Sequence, residues 1–102
     1  MLSENGLIAL LIDALHHPES RKEILWRFEQ EVGIEQFELP DEVLAILDEL
    51  QIDIAHYEPN PVLRLQDRSF YSDEQIECVI RKGLQKLRKF GVDVPSNAIL
   101  TQ

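Results

Sequence analysis

Cysteine and positive charge are both scarce in this 102-residue chain, and each shortage excludes a class of protein. The single cysteine, Cys78, cannot form an internal disulfide or a cysteine zinc site, so a disulfide framework is excluded. Ten Lys and Arg stand against 19 Asp and Glu, and the formal net charge of -9 argues against direct binding to nucleic acid or an anionic membrane. Any charged partner should therefore be cationic.

Long apolar runs are lacking as well. The longest, Leu7 to Ile12, has six residues, whereas a helix that spans a bilayer needs about 20. No basic segment precedes this run and no small-residue cleavage site follows it, which argues against a secretory signal. We expect a cytoplasmic protein in a reducing compartment.

Glycine and proline are too few for a collagen-like or low-complexity chain, with four and five residues respectively. A hydrophobic content of 44% with 28% charged residues is typical of a globular domain, and the length fits a single core. We assign residues 1–91 to one domain and residues 92–102 to a C-terminal tail, expected to be extended or frayed because helical periodicity ends near Gly91.

Four segments carry apolar residues at helical spacing, and no segment alternates as a half-buried strand would. They span about residues 4–16, Pro18 to Gly33, Asp41 to about His56, and Ser72 to about Phe90. Ser72 and Gln75 have the spacing of a capping box, and Gly83 indicates close packing of the last helix. We therefore predict an all-α fold, an antiparallel four-helix bundle, with a long loop at residues 57–71 between helices three and four.

Acidic charge is concentrated in the first three predicted helices and their loops. Residues 1–80 hold 18 acids and five bases, a net charge of -13, whereas residues 81–102 hold one acid and five bases, a net charge of +4. The third predicted helix contains no Lys or Arg that could pair with its acids three or four positions away. Two interpretations stay open: an acidic face that binds a partner, and a solvated face neutralised by basic residues of the fourth helix.

No motif in the chain points to an enzyme. It has no glycine-rich phosphate loop, nucleophile elbow or HExxH motif. Asp53 and His56 have a metal-compatible spacing, but a di-iron bundle needs such a pair on two helices and further Glu residues. We expect Cys78 to be a buried or half-buried inert thiol, and Trp26 to be either an exposed anchor or a core residue. The prediction is a non-enzymatic protein without metal or cofactor.

The passage from the third to the fourth predicted helix carries the most specific pattern in the chain. It reads Asp53-Ile-Ala-His-Tyr57-Glu58-Pro59-Asn60-Pro61, then Arg64, Asp67 and Phe70-Tyr71-Ser72-Asp73-Glu74. Over about residues 45–90 the chain resembles bacterial immunity proteins of the colicin D type and related immunity proteins of contact-dependent inhibition systems. The first 40 residues carry no such likeness.

This resemblance implies an acidic, non-enzymatic four-helix protein that binds a cognate tRNA-cleaving toxin and covers its basic active-site cleft. An anionic surface suits that task, because a toxin that holds RNA must be cationic. The alternative, from another class, is a homo-oligomeric helical adaptor or regulatory protein without a toxin partner. The sequence leaves the oligomeric state open.

The segment from Tyr57 to Ser72 has a structural and a functional interpretation. In the first, its aromatic residues fix the turn between two helices, and Arg64 pairs with Asp67 or Asp53. In the second, carboxylates form an acidic platform beside an exposed Tyr57. We favour a scaffold role for the prolines and aromatics and a contact role for the carboxylates. The predicted partner-binding residues are Asp48, Glu49, Asp53, Tyr57, Glu58 and Asp67.

Overall fold

A computed structural model describes residues 4–34 and 40–95, and within these ranges the chain is helical and contains no β-strand. The helices are α1 (Glu4–His16), α2 (Arg21–Ile34), α3 (Asp41–Ile54), α4 (Pro61–Arg64) and α5 (Asp73–Lys89). The prediction of an all-α fold is confirmed. Over the same two ranges, no helix combines the length and the apolar character needed to cross a membrane.

Helical periodicity predicts the long helices to within a few residues. The bounds of α1 agree with the prediction, whereas α3 ends two residues before His56. A separate 3-10 turn at Pro18–Ser20 precedes α2. The sequence pattern predicts this turn and α2 as one helix. The short α4 is not predicted, because four residues are too few to show a period. Residues 34–40, between the second and third predicted helices, are predicted to form a short linker. Residues 35–39 of this linker and residues 96–102 of the predicted tail lie outside the described residues.

The four long helices share one hydrophobic core. Helix α1 packs against α2 and α3 packs against α5, while contacts of α1 with α5 and of α2 with α3 join the two pairs. The apolar side chains that are almost fully buried come from all four: Leu7, Leu11, Leu25, Phe28, Val43, Ile76, Ile80, Leu84 and Leu87. The radius of gyration, 13.3 Å, equals the value of about 13 Å expected for a compact domain of 100 residues.

Helices α3 and α5 approach closely at Gly83. A Cβ atom at this position would lie 2.5 Å from Leu50 Cδ2, far inside ordinary van der Waals contact. The glycine therefore permits the approach, and this offsets the roughly 1 kcal/mol that glycine costs relative to alanine inside a helix. The prediction that Gly83 marks close packing is confirmed.

The chain turns back onto the core after α5 through a Schellman motif. The N–H of Val92 donates to the Leu87 carbonyl and the N–H of Gly91 donates to the Arg88 carbonyl, both at 3.1 Å. Gly91 has a φ of 92°, a conformation that favours glycine. Val92 and Val94 are then each only 5% exposed. Residues 92–95 have no regular secondary structure, and Val92 and Val94 pack onto the core, so this part of the predicted tail is not frayed.

Residues 55–72 join α3 to α5 and form a closed loop. The N–H of Tyr71 donates to the His56 carbonyl at 2.6 Å, and the N–H of Glu58 donates to the Tyr71 carbonyl at 3.0 Å. The two tyrosine hydroxyls cross this junction: Tyr57 donates to Asp73 at 2.5 Å, and Tyr71 donates to Asp53 at 3.3 Å. The aromatic residues therefore hold the turn between the helices, in agreement with their scaffold interpretation.

One detail of each interpretation of this loop is wrong: the exposed Tyr57 of the functional one and the Arg64 ion pair of the structural one. Tyr57 is not exposed: only 8% of its surface is accessible, because the ring joins the core while the hydroxyl reaches the first residue of α5. Arg64 pairs with neither Asp67 nor Asp53, because its guanidinium turns inward and donates to the Glu58 carbonyl at 2.6 Å. The side chains of Tyr57 and Arg64 both stabilise the loop conformation through these hydrogen bonds.

Candidate functional site

The solvent-facing side of α3 carries an isoleucine beside carboxylates. The buried residues of this helix face the core: Val43, Ile46, Leu47, Leu50 and Ile54. On the other side Asp48 and Glu49 are exposed. Ile52, which is four residues after Asp48 and three after Glu49, is 63% exposed. Residues at this spacing are neighbours on a helix surface. Two predicted contact residues therefore flank an apolar side chain that is open to solvent.

A groove between α3 and α5 borders this face. It has a volume of about 290 Å³, and its lining includes Ile46, Leu50 and Val79 together with Glu49, Asp53, Lys82 and Lys86. Lys86 Nζ lies 3.4 Å from Glu49 Oε1, and both side chains are more than half exposed. Such a pair contributes at most about 1 kcal/mol. Glu49 is thus partly neutralised across the helix pair, whereas Asp48 has no ion pair among the described residues.

Asp53 and Asp67 border a histidine–tyrosine contact at the end of α3. The Tyr71 hydroxyl donates to Asp53, and the centroids of the His56 and Tyr71 rings are 5.5 Å apart. The negative charge of Asp53 raises the pKa of Tyr71. The backbone N–H of Ser69 donates to Asp67 at 2.8 Å, and this bond, assisted by the charge of nearby His56, lowers the pKa of Asp67. Asp67 therefore stays ionised to lower pH than an ordinary aspartate.

Glu58 is occupied by contacts within the chain. One carboxylate oxygen lies 3.8 Å from Lys22 Nζ of α2, and the other accepts the backbone N–H of Asn60 at 3.1 Å. Its side chain is 15% exposed, which leaves little of it for a partner.

The six predicted contact residues thus fall into two groups. Four carboxylates lie along α3 and beside its C-terminal end, and we call them the acidic ridge: Asp48, Glu49, Asp53 and Asp67. The other two, Tyr57 and Glu58, serve the scaffold at the loop junction.

Arg21, which the sequence reasoning missed, is the buried cation that organises the other side of the molecule. Its side chain is 0% exposed. Nε donates to the Ala14 carbonyl at 2.7 Å and Nη2 donates to the Leu15 carbonyl at 3.1 Å, so the guanidinium caps α1. It also pairs with Asp73 and Glu77 of α5, each at 2.9 Å. A signal existed, because Arg21 lies four residues before Leu25 and seven before Phe28, on the apolar stripe of α2.

Trp26 is the exposed aromatic residue of α2. It is 61% exposed and lines a concavity of about 420 Å³ together with Glu19, Ser20, Lys22 and Glu23. The structure therefore decides between the two interpretations of Trp26 in favour of exposure, since the core face of α2 is filled by Leu25 and Phe28.

The structure also places Cys78 and the pair Asp53 and His56, whose spacing is compatible with a metal ion. Cys78 is exposed, contrary to expectation, because Ile76 and Ile80 occupy the inward-facing positions on either side of it. His56, two residues beyond α3, has its Nδ1 3.0 Å from the carbonyl of Ile52 in the last turn of that helix. In residues 4–34 and 40–95, no three His, Cys, Asp or Glu side chains are grouped so that they could hold a metal ion.

Comparison with known proteins assigns no family to this arrangement. No protein-family model, curated protein or solved structure matches the chain. The features that bear on function are the acidic ridge, the exposed apolar side chains and the charge distribution.

Proposed function

We propose that this chain is an immunity protein that binds a basic, RNA-cleaving toxin and neutralises it by stoichiometric contact, without catalysis. The observation that carries the proposal is Ile52, exposed on the same face of α3 as Asp48 and Glu49. Protein interfaces commonly combine an apolar anchor with a polar rim, and complementary charge fixes their orientation. A cytoplasmic location belongs to the same proposal.

An antiparallel four-helix bundle is the scaffold in this proposal. The contacts of α1 with α2 and of α3 with α5 support it. Such a bundle would hold Asp48, Glu49 and Asp53 of the acidic ridge on a rigid helix, which limits the conformational entropy lost on binding.

The acidic ridge would act by occupying phosphate positions in the toxin. A toxin that cleaves RNA needs a cationic cleft to hold the phosphate backbone. Carboxylates along α3 and at Asp67 would meet those cations, while Ile52 would displace water from the centre of the contact. Long-range attraction would speed the encounter of the two proteins.

Charge reversal on the ridge tests the proposal. The chain is co-expressed in a sensitive host with a candidate toxin, a cationic nuclease domain sought in the neighbouring genes, as wild type and as the double variant Asp48→Lys/Asp67→Lys. We expect the double variant to lose protection and to bind the toxin at least tenfold more weakly, since close charge pairs at interfaces couple by about 1.5 kcal/mol or more.

The matched control is Asp13→Lys/Asp93→Lys, which makes the same change of net charge at two exposed residues outside the ridge. It should protect as wild type does. If the ridge variant and the control protect equally, the acidic ridge is not the inhibitory surface.

The second candidate function is a homo-oligomeric helical adaptor, and the exposed apolar side chains of the α4 region favour it. Val62 is 66% exposed and Leu65, just after the helix, is 87% exposed. Sedimentation of the wild type and of Val62→Ser/Leu65→Ser distinguishes the two functions. Self-association that this double substitution abolishes would support the adaptor, whereas a monomer at all concentrations would count against it.

A further inference from the structure

The concavity beside Trp26 combines an aromatic face with two carboxylates. Glu23 precedes Trp26 by three residues on α2, so the two side chains are neighbours on the helix surface. Glu19 lies in the 3-10 turn before α2. All three are exposed and line the same space of about 420 Å³. This space is large enough to admit a long side chain of another protein.

Of the charged residues that line the concavity, the lysine has an ion-pair partner in the described part of the chain and the two glutamates do not. Lys22, the basic residue of the lining, lies 3.8 Å from Glu58 and so directs its ammonium group toward the loop that follows α3. Neither Glu19 nor Glu23 has an ion pair among the described residues. Within residues 4–34 and 40–95, no cation of the chain compensates these two carboxylates, so they can receive one from a partner.

We propose that this concavity is a second contact site of the protein, and that it receives an arginine side chain of a basic protein partner. A planar guanidinium can stack on the indole face of Trp26 while its N–H groups donate to Glu19 and Glu23. A lysine ammonium lacks the planar, forked arrangement of donors that makes both contacts at once. The identification of the partner as a basic protein rests on the proposed function. The ability of the concavity to bind an arginine side chain does not depend on that function.

Trp26 reports on its own site, because it is the single tryptophan of the chain. The intact protein is titrated at about 0.1 M ionic strength, where the Debye length is about 10 Å, with acetylated tetra-arginine amide, and the fluorescence of Trp26 is followed. We expect a saturable change. The tetra-citrulline peptide, which keeps the shape of the side chain but lacks its charge, should give none.

Removing the carboxylates tests whether they receive the cation. The variant Glu19→Gln/Glu23→Gln should bind tetra-arginine about three- to tenfold more weakly, the range expected for loss of two exposed charge contacts. The control Glu42→Gln/Glu74→Gln removes the same charge at exposed residues that do not line the concavity. Its affinity should stay within about twofold of the wild type, since exposed charges at a distance are screened.

Three results would overturn the site: no saturable response, equal weakening in both double variants, or an equal response to citrulline. A shift of Trp26 fluorescence with protein concentration alone would assign the concavity to a second copy of this chain and overturn the separate partner. The peptide titration uses no toxin. Failure of the toxin-protection assay with a positive titration would therefore reject the proposed function and leave the arginine site standing.

Discussion

Arg21 ties three parts of the chain together through one buried guanidinium. It satisfies two carbonyl groups in the last turn of α1, starts α2, and reaches Asp73 and Glu77 on α5. Tyr57 donates to the same oxygen of Asp73, so the loop after α3 joins this network. A buried ion pair does not guarantee net stability, yet removing one member leaves its partners without compensation.

Replacing Arg21 with methionine should lower the free energy of unfolding by about 3 kcal/mol, because it leaves the α1 carbonyls and Asp73 without their cation. Glu77 would keep only Arg81, whose guanidinium lies 3.8 Å away. Urea denaturation followed by circular dichroism measures this change. The control Arg27→Met alters an exposed arginine of the same helix and should change stability by less than about 0.5 kcal/mol. Similar losses for the two variants would contradict the role of the buried guanidinium.

Tyr57 should make stability fall in alkaline solution. Burial, with the hydrogen bond to Asp73, raises the pKa of Tyr57 from 10.0 to about 12. Between these values the unfolded chain releases the phenolic proton first, so this contribution is complete below pH 10 and is lost as the pH rises through 12. Relative to Tyr57→Phe, the wild type should lose about 1 kcal/mol over this range, allowing for solvent screening. Parallel pH profiles of unfolding free energy in the two proteins would contradict this.

At the level of helices, the contact of α3 with α5 depends on the missing side chain of Gly83. Replacement by alanine should lower the unfolding free energy by about 1–2 kcal/mol, because overpacking against Leu50 exceeds the gain in helix propensity. Thermal unfolding measures the change. In Gly83→Ala/Leu50→Ala the added methyl group has room, so the double variant should be less destabilised than the sum of the single variants. Strict additivity would show that the two positions do not meet.

The loop between α3 and α5 shows why a non-periodic stretch can still be well defined. Two backbone hydrogen bonds close its ends, and Asn60 caps α4 by accepting the N–H of Val62 at 2.9 Å. The closed ends leave Val62 and Leu65 at the surface. The loop therefore has scaffold residues where its two ends meet and solvent-facing residues in and after α4.

For the whole molecule, the separation of charge between residues 1–80 and 81–102 should control association. Raising the salt concentration from 50 to 500 mM should slow association with a cationic toxin by more than tenfold, since screening removes electrostatic steering. Stopped-flow mixing measures the rate. Asp48→Lys/Asp67→Lys should have a weaker salt dependence than Asp13→Lys/Asp93→Lys, and an association rate insensitive to salt would contradict electrostatic steering.

The helices were predictable because their signals are local. Apolar residues at intervals of three and four mark α1, α2, α3 and α5, and the Ser72–Gln75 spacing yields the capping box that the structure contains. The positions of side chains at the surface were harder to predict. Trp26 and Cys78 lie next to apolar stripes, where a rotation of a few tens of degrees decides between core and solvent.

By itself the sequence determined the all-α class, the long helices and the excess of acidic over basic residues. The first two follow from short-range periodicity, and the third follows from counting charges. Only the tertiary structure decided that Arg21 is buried, that Tyr57 serves the scaffold, and that Glu49 is paired with Lys86. Each of these depends on partners between 16 and 56 positions away in the chain. Such distances leave no local pattern for these pairings. The apolar stripe of α2 marks the inward face on which Arg21 lies, but its partners on α5 are fixed only when the helices pack.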